Sequence, residues 1–223
     1  MDIQEIAKIC RKVIASWCDT NIPLGIKKLP SGTNHLYSVT APINPYCCIF
    51  REFGIHKMLN RQTETQMFDL MSQHGIGPNY YIHTDQYRVE ESIRGAILTP
   101  YIPRESYIKK SIRKIAMLHD ACKSLHSNHF RDIFLQQWLP NLELDYLKSL
   151  KDSDVQDYLS FAANIGQFMK RLAPASKGLT CYSHNDISLN NMILSDENDI
   201  VLIDFEYSSI NDRGYDLACL FEE

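Results

Sequence analysis

The sequence predicts an α+β fold of two lobes, an antiparallel sheet lobe first and a mainly helical lobe after it. Three observations predict this. Short apolar runs separated by Gly, Pro and Asn fill the chain up to Ile93, while apolar residues at helical spacing dominate from Tyr107 to Leu172. A late hairpin pattern then carries Asp and Asn residues in the second part of the chain. Strands followed by helices give segregated layers, with a ligand cleft between a sheet lobe and a helical lobe. At 223 residues the chain is long enough for one large domain or two small lobes with a real core. The lobe boundary is expected between Ile93 and Pro103, dividing residues 1–95 from 96–223.

In chain order, Ile3, Ile6, Ile9, Cys10, Val13, Ile14 and Trp17 recur at helical spacing and predict an amphipathic helix that ends before Asp19 to Pro23. Its stripe reads as core packing. Ile26–Leu29, Leu36–Val39 and Tyr46–Phe53 read as three strands, the first two joined by the breaker Pro30 to Asn34. With one glycine, that turn fits a plain hairpin as well as a phosphate loop. Asn60–Met71 predicts a helix with an apolar face, closing at His74-Gly75 and Gly77-Pro78. Tyr80–His83 and Tyr87–Ile93 predict a further hairpin.

The stretch Tyr107–Leu125 places Ile108, Ile112, Ile115, Met117, Leu118, Ala121 and Leu125 on one helical face. His119, His126 and His129 are close in sequence, but no acidic or thiolate ligand joins them at a recognised metal spacing, so ordinary hydrogen bonds are expected. Phe134–Leu150 and Val155–Leu172 predict two more helices, with Pro140 near the start of the first and Pro174 just past the second. Trp138 reads as packing.

The chemistry concentrates in His184-x-Asp186-x-x-x-x-Asn191 and the acid Asp204 at the end of the apolar run Ile200–Ile203. Ser195 to Asp199 has turn composition between two short apolar runs, so a hairpin would bring Asn191 and Asp204 together. Such an oxygen-lined pair suits Mg²⁺, a hard ion that bridges nucleotide phosphates. Asp186 is placed to accept the proton of an attacking hydroxyl, with His184 orienting its loop. Asp and Asn are also favoured in turns for purely local reasons, but the joint pattern in its strand context favours catalysis. Glu206, two residues past Asp204, would share its face if the strand continues, either near a second metal or paired with Arg213. Tyr207 and Tyr215 read as core aromatics.

A net charge of −4 argues against a nucleic-acid partner, which would call for a basic surface. Seven cysteines with no Cys-x-x-Cys pair, two of them adjacent at Cys47 and Cys48, indicate reduced thiols and a cytosolic setting. No signal segment or membrane-length apolar run is visible, so membrane insertion is not expected.

His184 to Asn191, then Ile203-Asp204-Phe205-Glu206-Tyr207, then Asn211 to Ala218, resembles the choline/ethanolamine kinase family within the kinase-like phosphotransferases that include the aminoglycoside kinases. The resemblance implies a two-lobed protein-kinase-like fold, ATP as co-substrate, Mg²⁺, and phosphorylation of the hydroxyl of choline or ethanolamine, the first step of phospholipid head-group synthesis. Phosphorylation of another small hydroxylated metabolite, or a weakly catalytic nucleotide-binding relative, are its alternatives. It makes Ser31, Gly32, Thr33 and Asn34 the phosphate-covering loop and Arg51 the nucleotide-contacting base, with Glu64 as a helix acid able to pair with it. It sets Glu91 and Ile93 at the adenine hinge. Asp186, Ser188 and Glu223 face the substrate, while Asn191, Asp204 and Glu206 hold the metal. It also implies further helices beyond Glu223 that bring aromatic rings to the ammonium group, so residues 1–223 alone are expected to bind Mg-ATP with little amino-alcohol turnover. The apolar surface those helices would cover is a place for a partner chain, which makes a homodimer an expectation.

Overall fold

Helix α1 (Ile3–Val13) starts on the side chain of Asp2, which accepts the Glu5 N–H at 2.8 Å and satisfies one orphan donor of the first turn. It presents Ile6 and Cys10, continued by Ile14 and Trp17 in a short 3₁₀ turn, to a sheet. Ile3, expected in that stripe, is 60% exposed and lies off it. In this computed structural model, residues 1–54, 60–138 and 179–223 are described, with the single positions 160, 164, 167 and 171.

The sheet comprises β1 (Gly25–Leu29), β2 (His35–Thr40), β3 (Cys47–Glu52), β4 (Tyr80–His83) and β5 (Tyr87–Glu91) in the order β1-β2-β3-β5-β4, antiparallel throughout. Alternation along the strands turns Val39, Cys48, Phe50 and Val89 toward α1. The other face is polar and buried. There Arg51 stands directly opposite Arg88 across β3 and β5, a like-charge register that needs acids close by.

Helix α2 (Arg61–Gln73), capped by Asn60, buries Met67, Phe68 and Met71 in a second core with Leu98, Ile115, Leu118, Met192, Leu202, Phe205 and Leu220. It therefore follows β3 in the chain but packs with the helical part. Strand β5 ends at Glu91, two residues short of the expected Ile93. A strand the sequence did not predict follows, β6 (Gly95–Ile97). It pairs with β8 (Met192–Ser195), which pairs with β9 (Ile200–Leu202) in the expected hairpin. Gly95 allows this join: its φ is +149°, and a Cβ there would stand 2.2 Å from the Leu194 carbonyl oxygen.

Helix α3 (Arg104–Ala121) lies over this sheet, and β7 (Thr180–Ser183) pairs with β10 (Ser209–Asp212) in a separate two-stranded ribbon. Helix α4 (Phe130–Ile133) leads into a π-helical turn at Phe134–Trp138. The rest of the helix expected to Leu150, the packing of Trp138, and most of the helix expected from Val155 to Leu172 lie outside the described residues. Helix α5 (Tyr215–Glu222) ends the chain. Among the described residues no helix is long and apolar enough to cross a membrane, and all seven cysteines are free thiols.

Candidate active site

Strand β7 delivers the chain to His184, Asn185 and Asp186. Asn185 has φ of +67°, a left-handed backbone that Asn tolerates better than most residues. Asp216 at the start of α5 fixes this corner, Oδ2 accepting the His184 N–H and Oδ1 the Asn185 N–H, each at 2.9 Å. His119 Nε2 lies 2.9 Å from the same Oδ2. Burial alone would lift the Asp216 carboxyl, but the hydrogen bonds it accepts from His119 and from the backbone N–H groups of His184 and Asn185 outweigh it and hold it below the usual range. The side chain of Asn185 donates to Tyr207 O at 3.0 Å and Ser209 Oγ at 2.8 Å, and accepts from Asn211 at 2.8 Å.

His184 is fully buried. Its Nδ1 accepts the Asp186 N–H at 3.3 Å and its Nε2 donates to Ile203 O at 3.0 Å, which makes it the neutral tautomer and a residue that orients the loop without facing the cleft. The hairpin brings Asn191 and Asp204 together as expected: Ile203 N donates to Asn191 O at 3.0 Å, and Asn191 Nδ2 donates to Asp186 Oδ2 at 2.7 Å.

Strand β9 stops at Leu202, and Asp204 has φ of +66°. Strand alternation therefore does not place Glu206 beside Asp204, contrary to the sequence expectation. A turn closed by Ser208 N to Phe205 O carries it across the cleft instead. There it accepts from Thr33 Oγ1 at 2.7 Å and Asn34 Nδ2 at 3.4 Å, not from Arg213. Burial raises the Glu206 pKa, and the charge of Asp204 adds to it. Burial likewise raises that of Asp186, with Asp204 and Glu223 pushing the same way. Glu223 thus acts on the Asp186 carboxylate, and Ser188 lies between the two chemical positions of the loop, its carbonyl accepting the Asn191 N–H.

Arg51 is buried, with Nε 2.6 Å from Glu90 Oε1 and Nη1 3.4 Å from Asp204 Oδ1. The expected pair with Glu64 is not formed. Glu64 is met by Arg61 at 2.5 Å and by Arg88 at 3.5 Å, while Glu90 sits on β5, the strand hydrogen-bonded beside Arg51. Arg88 also binds Glu90 at 3.0 Å and lies 3.5 Å from the Phe68 ring centroid. Burial would lift the Glu90 carboxyl, but these two guanidinium groups outweigh it and lower its pKa.

The Ser31–Asn34 loop joins β1 to β2 and reaches Glu206 through Thr33 and Asn34. Ser31 and Gly32 are exposed, and nothing lies within 4 Å of the position a Gly32 Cβ would take. The loop's inner side rests on Gly54, where a Cβ would stand 2.0 Å from the Thr33 carbonyl oxygen. Arg61 Nη2 ties it down through Asn34 Oδ1 at 2.7 Å and Gly54 O at 3.1 Å. Glu91 and Ile93 lie at the exit of β5; the Glu91 side chain accepts from Asn79 at 2.9 Å.

Asn191, Asp204 and Glu206 offer only oxygen to a cation, since the Asn191 nitrogen is committed to Asp186. The charge of Asp204 adds to the raised proton affinity of both Asp186 and Glu206, and among the described residues the one ion pair at these three is Arg51 with Asp204. Hard oxygen donors with uncompensated negative charge fit a divalent cation such as Mg²⁺. Among the described residues no three His, Cys, Asp or Glu side chains cluster as a metal site, so such an ion would draw further ligands from a bound nucleotide or water. Asn185, Glu90, Arg88, Arg61, Gly54 and the His119–Asp216 pair were not singled out from sequence. Of these, Asn185 and Asp216 stood in quoted motifs without a role, and His119 was expected only to make ordinary hydrogen bonds.

The family model described as choline/ethanolamine kinase matches residues 26–223. The chain is 26% identical over 173 residues to a choline/ethanolamine kinase of Homo sapiens, an alignment covering 72% of this chain and 42% of that protein. It spans about half the length of the curated relatives it matches. Among solved structures it is similar to a choline kinase from Cryptosporidium parvum Iowa II, with TM-score 0.76 and 25% identity over 97% of this chain and 68% of the other. The aminoglycoside phosphotransferase APH(2″)-Ib has the same fold, with TM-score 0.62 and 18% identity over 99% and 75%.

Proposed function

The chain belongs to the choline/ethanolamine kinase family, and from that membership we propose that it transfers the γ-phosphoryl group of ATP to the hydroxyl of choline or ethanolamine. The substrate oxygen forms a bond to phosphorus as the bond to ADP breaks, and the hydroxyl proton passes to Asp186. Asn191 holds that carboxylate by its hydrogen bond to Oδ2, so the base meets the hydroxyl without searching rotamers. Asn191, Asp204 and Glu206 would hold Mg²⁺, which when bound neutralises charge on the transferring phosphates. Arg51, extended by Glu90, faces the phosphates beside Asp204, and the Ser31–Asn34 loop covers them. Glu91 and Ile93 receive the adenine at the strand exit. The positive head of the amino alcohol is met by the negative charge of Asp186 and Glu223, next to Ser188.

The observation that carries this reading is the convergence of Asp186, Asn191 and Asp204 with a buried arginine from the other lobe. The product would feed phospholipid head-group synthesis in the cytosol, in keeping with seven free thiols. The test is ³¹P NMR of reactions containing Mg-ATP and, in turn, choline, ethanolamine and an aminoglycoside. A phosphomonoester of either amino alcohol supports the proposal. Product only from the aminoglycoside would reassign the substrate, and nucleotide binding with no ADP from any of them would make the protein a non-catalytic relative.

A further inference from the structure

Resting on that reading, we infer that Thr33 and Asn34 are positioning residues for the cation at Glu206, so that closing the phosphate loop and filling the cation site are one coupled event. Thr33 Oγ1 and Asn34 Nδ2 come from the sheet lobe, yet both donate to a single oxygen, Oε2, of a carboxylate carried by the other lobe. Two donors on one oxygen fix the carboxylate's plane and direction. Both donors are neutral. They orient Glu206 without cancelling its charge, so the carboxylate stays able to take a cation. A lysine or arginine in the loop would have quenched it.

The donors are themselves held. Asn34 is buried, and its Oδ1 accepts from Arg61 at 2.7 Å, which leaves its amide nitrogen aimed at Glu206. Arg61 is anchored in turn by Glu64 and packs over the Phe53 ring at 5.0 Å. Gly54 lets the Thr33 backbone approach closely enough for the hydroxyl to reach across. Outer hydrogen bonds of this kind commonly change metal affinity by about 10- to 100-fold. Linkage makes the effect reciprocal: a cation that prefers the oriented carboxylate must also favour the closed loop.

The test is calorimetric titration of ADP into the full chain at a series of Mg²⁺ concentrations. Thr33→Val, which keeps shape and removes the donor, is expected to raise the Mg²⁺ concentration for half-maximal nucleotide binding by about tenfold. Thr33→Ser is expected to restore it, which a purely steric role would not. Hydrogen exchange on the unaltered chain is an independent reading. Mg²⁺ added to ADP-bound protein should slow exchange at residues 31–34, and Thr33→Val should abolish that extra slowing. The same Mg²⁺ dependence in Thr33→Val and the parent would overturn the inference while leaving the kinase reading intact. A parent whose ADP binding ignores Mg²⁺ altogether would overturn both.

Discussion

Asn191 reaches back five residues to give its side-chain amide to Asp186, at 2.9 Å to the carbonyl oxygen and 2.7 Å to Oδ2. One amide thus fixes both the backbone and the carboxylate of the candidate base, while its own oxygen stays free of that task. Under the proposed assignment, proton acceptance and cation holding would meet in a single residue.

Asp186→Asn should lower kcat by about 10²- to 10⁴-fold, the usual cost of losing a positioned base. Nucleotide affinity should be unchanged. Burial already disfavours the Asp186 charge, so removing that charge should leave the thermal midpoint equal or higher. Steady-state kinetics, calorimetry and a melting curve on one preparation check all three, and a kcat within a few-fold of the parent would refute the assignment.

Arg51 should couple energetically to Glu90 and not to Glu64. A double-mutant cycle of Arg51→Met with Glu90→Gln should give a coupling of about 1–3 kcal/mol in urea unfolding, and the same cycle with Glu64→Gln close to none. The loss from Arg51→Met alone should stay at or below the roughly 3–5 kcal/mol typical of a broken buried pair, because Arg88 remains on Glu90. The same variant should raise the apparent constant for nucleotide more than that for amino alcohol.

His119 gives the stability a pH dependence. Burial works against its charge, but its hydrogen bonds with Asp216, whose carboxylate accepts, and with Cys181 outweigh burial and lift its pKa to about 9. A histidine whose folded pKa exceeds its unfolded value stabilises fully below about pH 6.5. That contribution is then lost as pH rises through about 9. The unfolding free energy from urea melts should therefore fall across this window in the parent, and the fall should be smaller in His119→Gln by an amount on the order of 1–3 kcal/mol. Parallel curves for the two proteins would show that the pair is not charged.

Gly54→Ala should lift the phosphate loop, since its Cβ would stand 2.0 Å from the Thr33 carbonyl oxygen. Neither atom is the flexible end of a side chain, so the backbone must move, at a cost of about 1–3 kcal/mol. Weaker ADP binding with faster hydrogen exchange at residues 31–34 is the expected result. Unchanged binding would mean that the loop closes without resting on Gly54.

What the sequence made legible was local. The hairpin of β8 and β9, the presence of the first five strands and the meeting of Asn191 with Asp204 all follow from short-range period and turn chemistry, whereas the pairing of β3 with β5 does not. Beyond that, β6 has three residues, and β10, with Ser209, Asn211 and Asp212, looks like a loop. Glu90 and Arg88 read as ordinary polar strand residues because alternation says which face a side chain takes but not whether that face is covered. Helix α2 covers it. The partner of Arg51 was misassigned for the same reason: Glu64 and Glu90 are both acids within reach in sequence terms, and only the packed arrangement shows which one is taken first. Glu206 was placed by extending a strand that a left-handed Asp204 ends.

The strand origin of Arg51's partner bears on control. Where a helix acid holds the phosphate-contacting base, swinging the helix outward disarms the enzyme, and signalling kinases use that as a switch. Here Arg51 is clamped within the sheet, by Glu90 on the neighbouring strand, and its direct ion pairs among the described residues include none from α2. Motion of α2 would instead travel through Arg61 and Asn34 to the rim of the cleft. Under the proposed assignment, such a protein would be armed without a helix switch. Its throughput would be governed by the supply of nucleotide and acceptor and by how readily the rim admits them, which suits a housekeeping metabolic step better than a regulated relay.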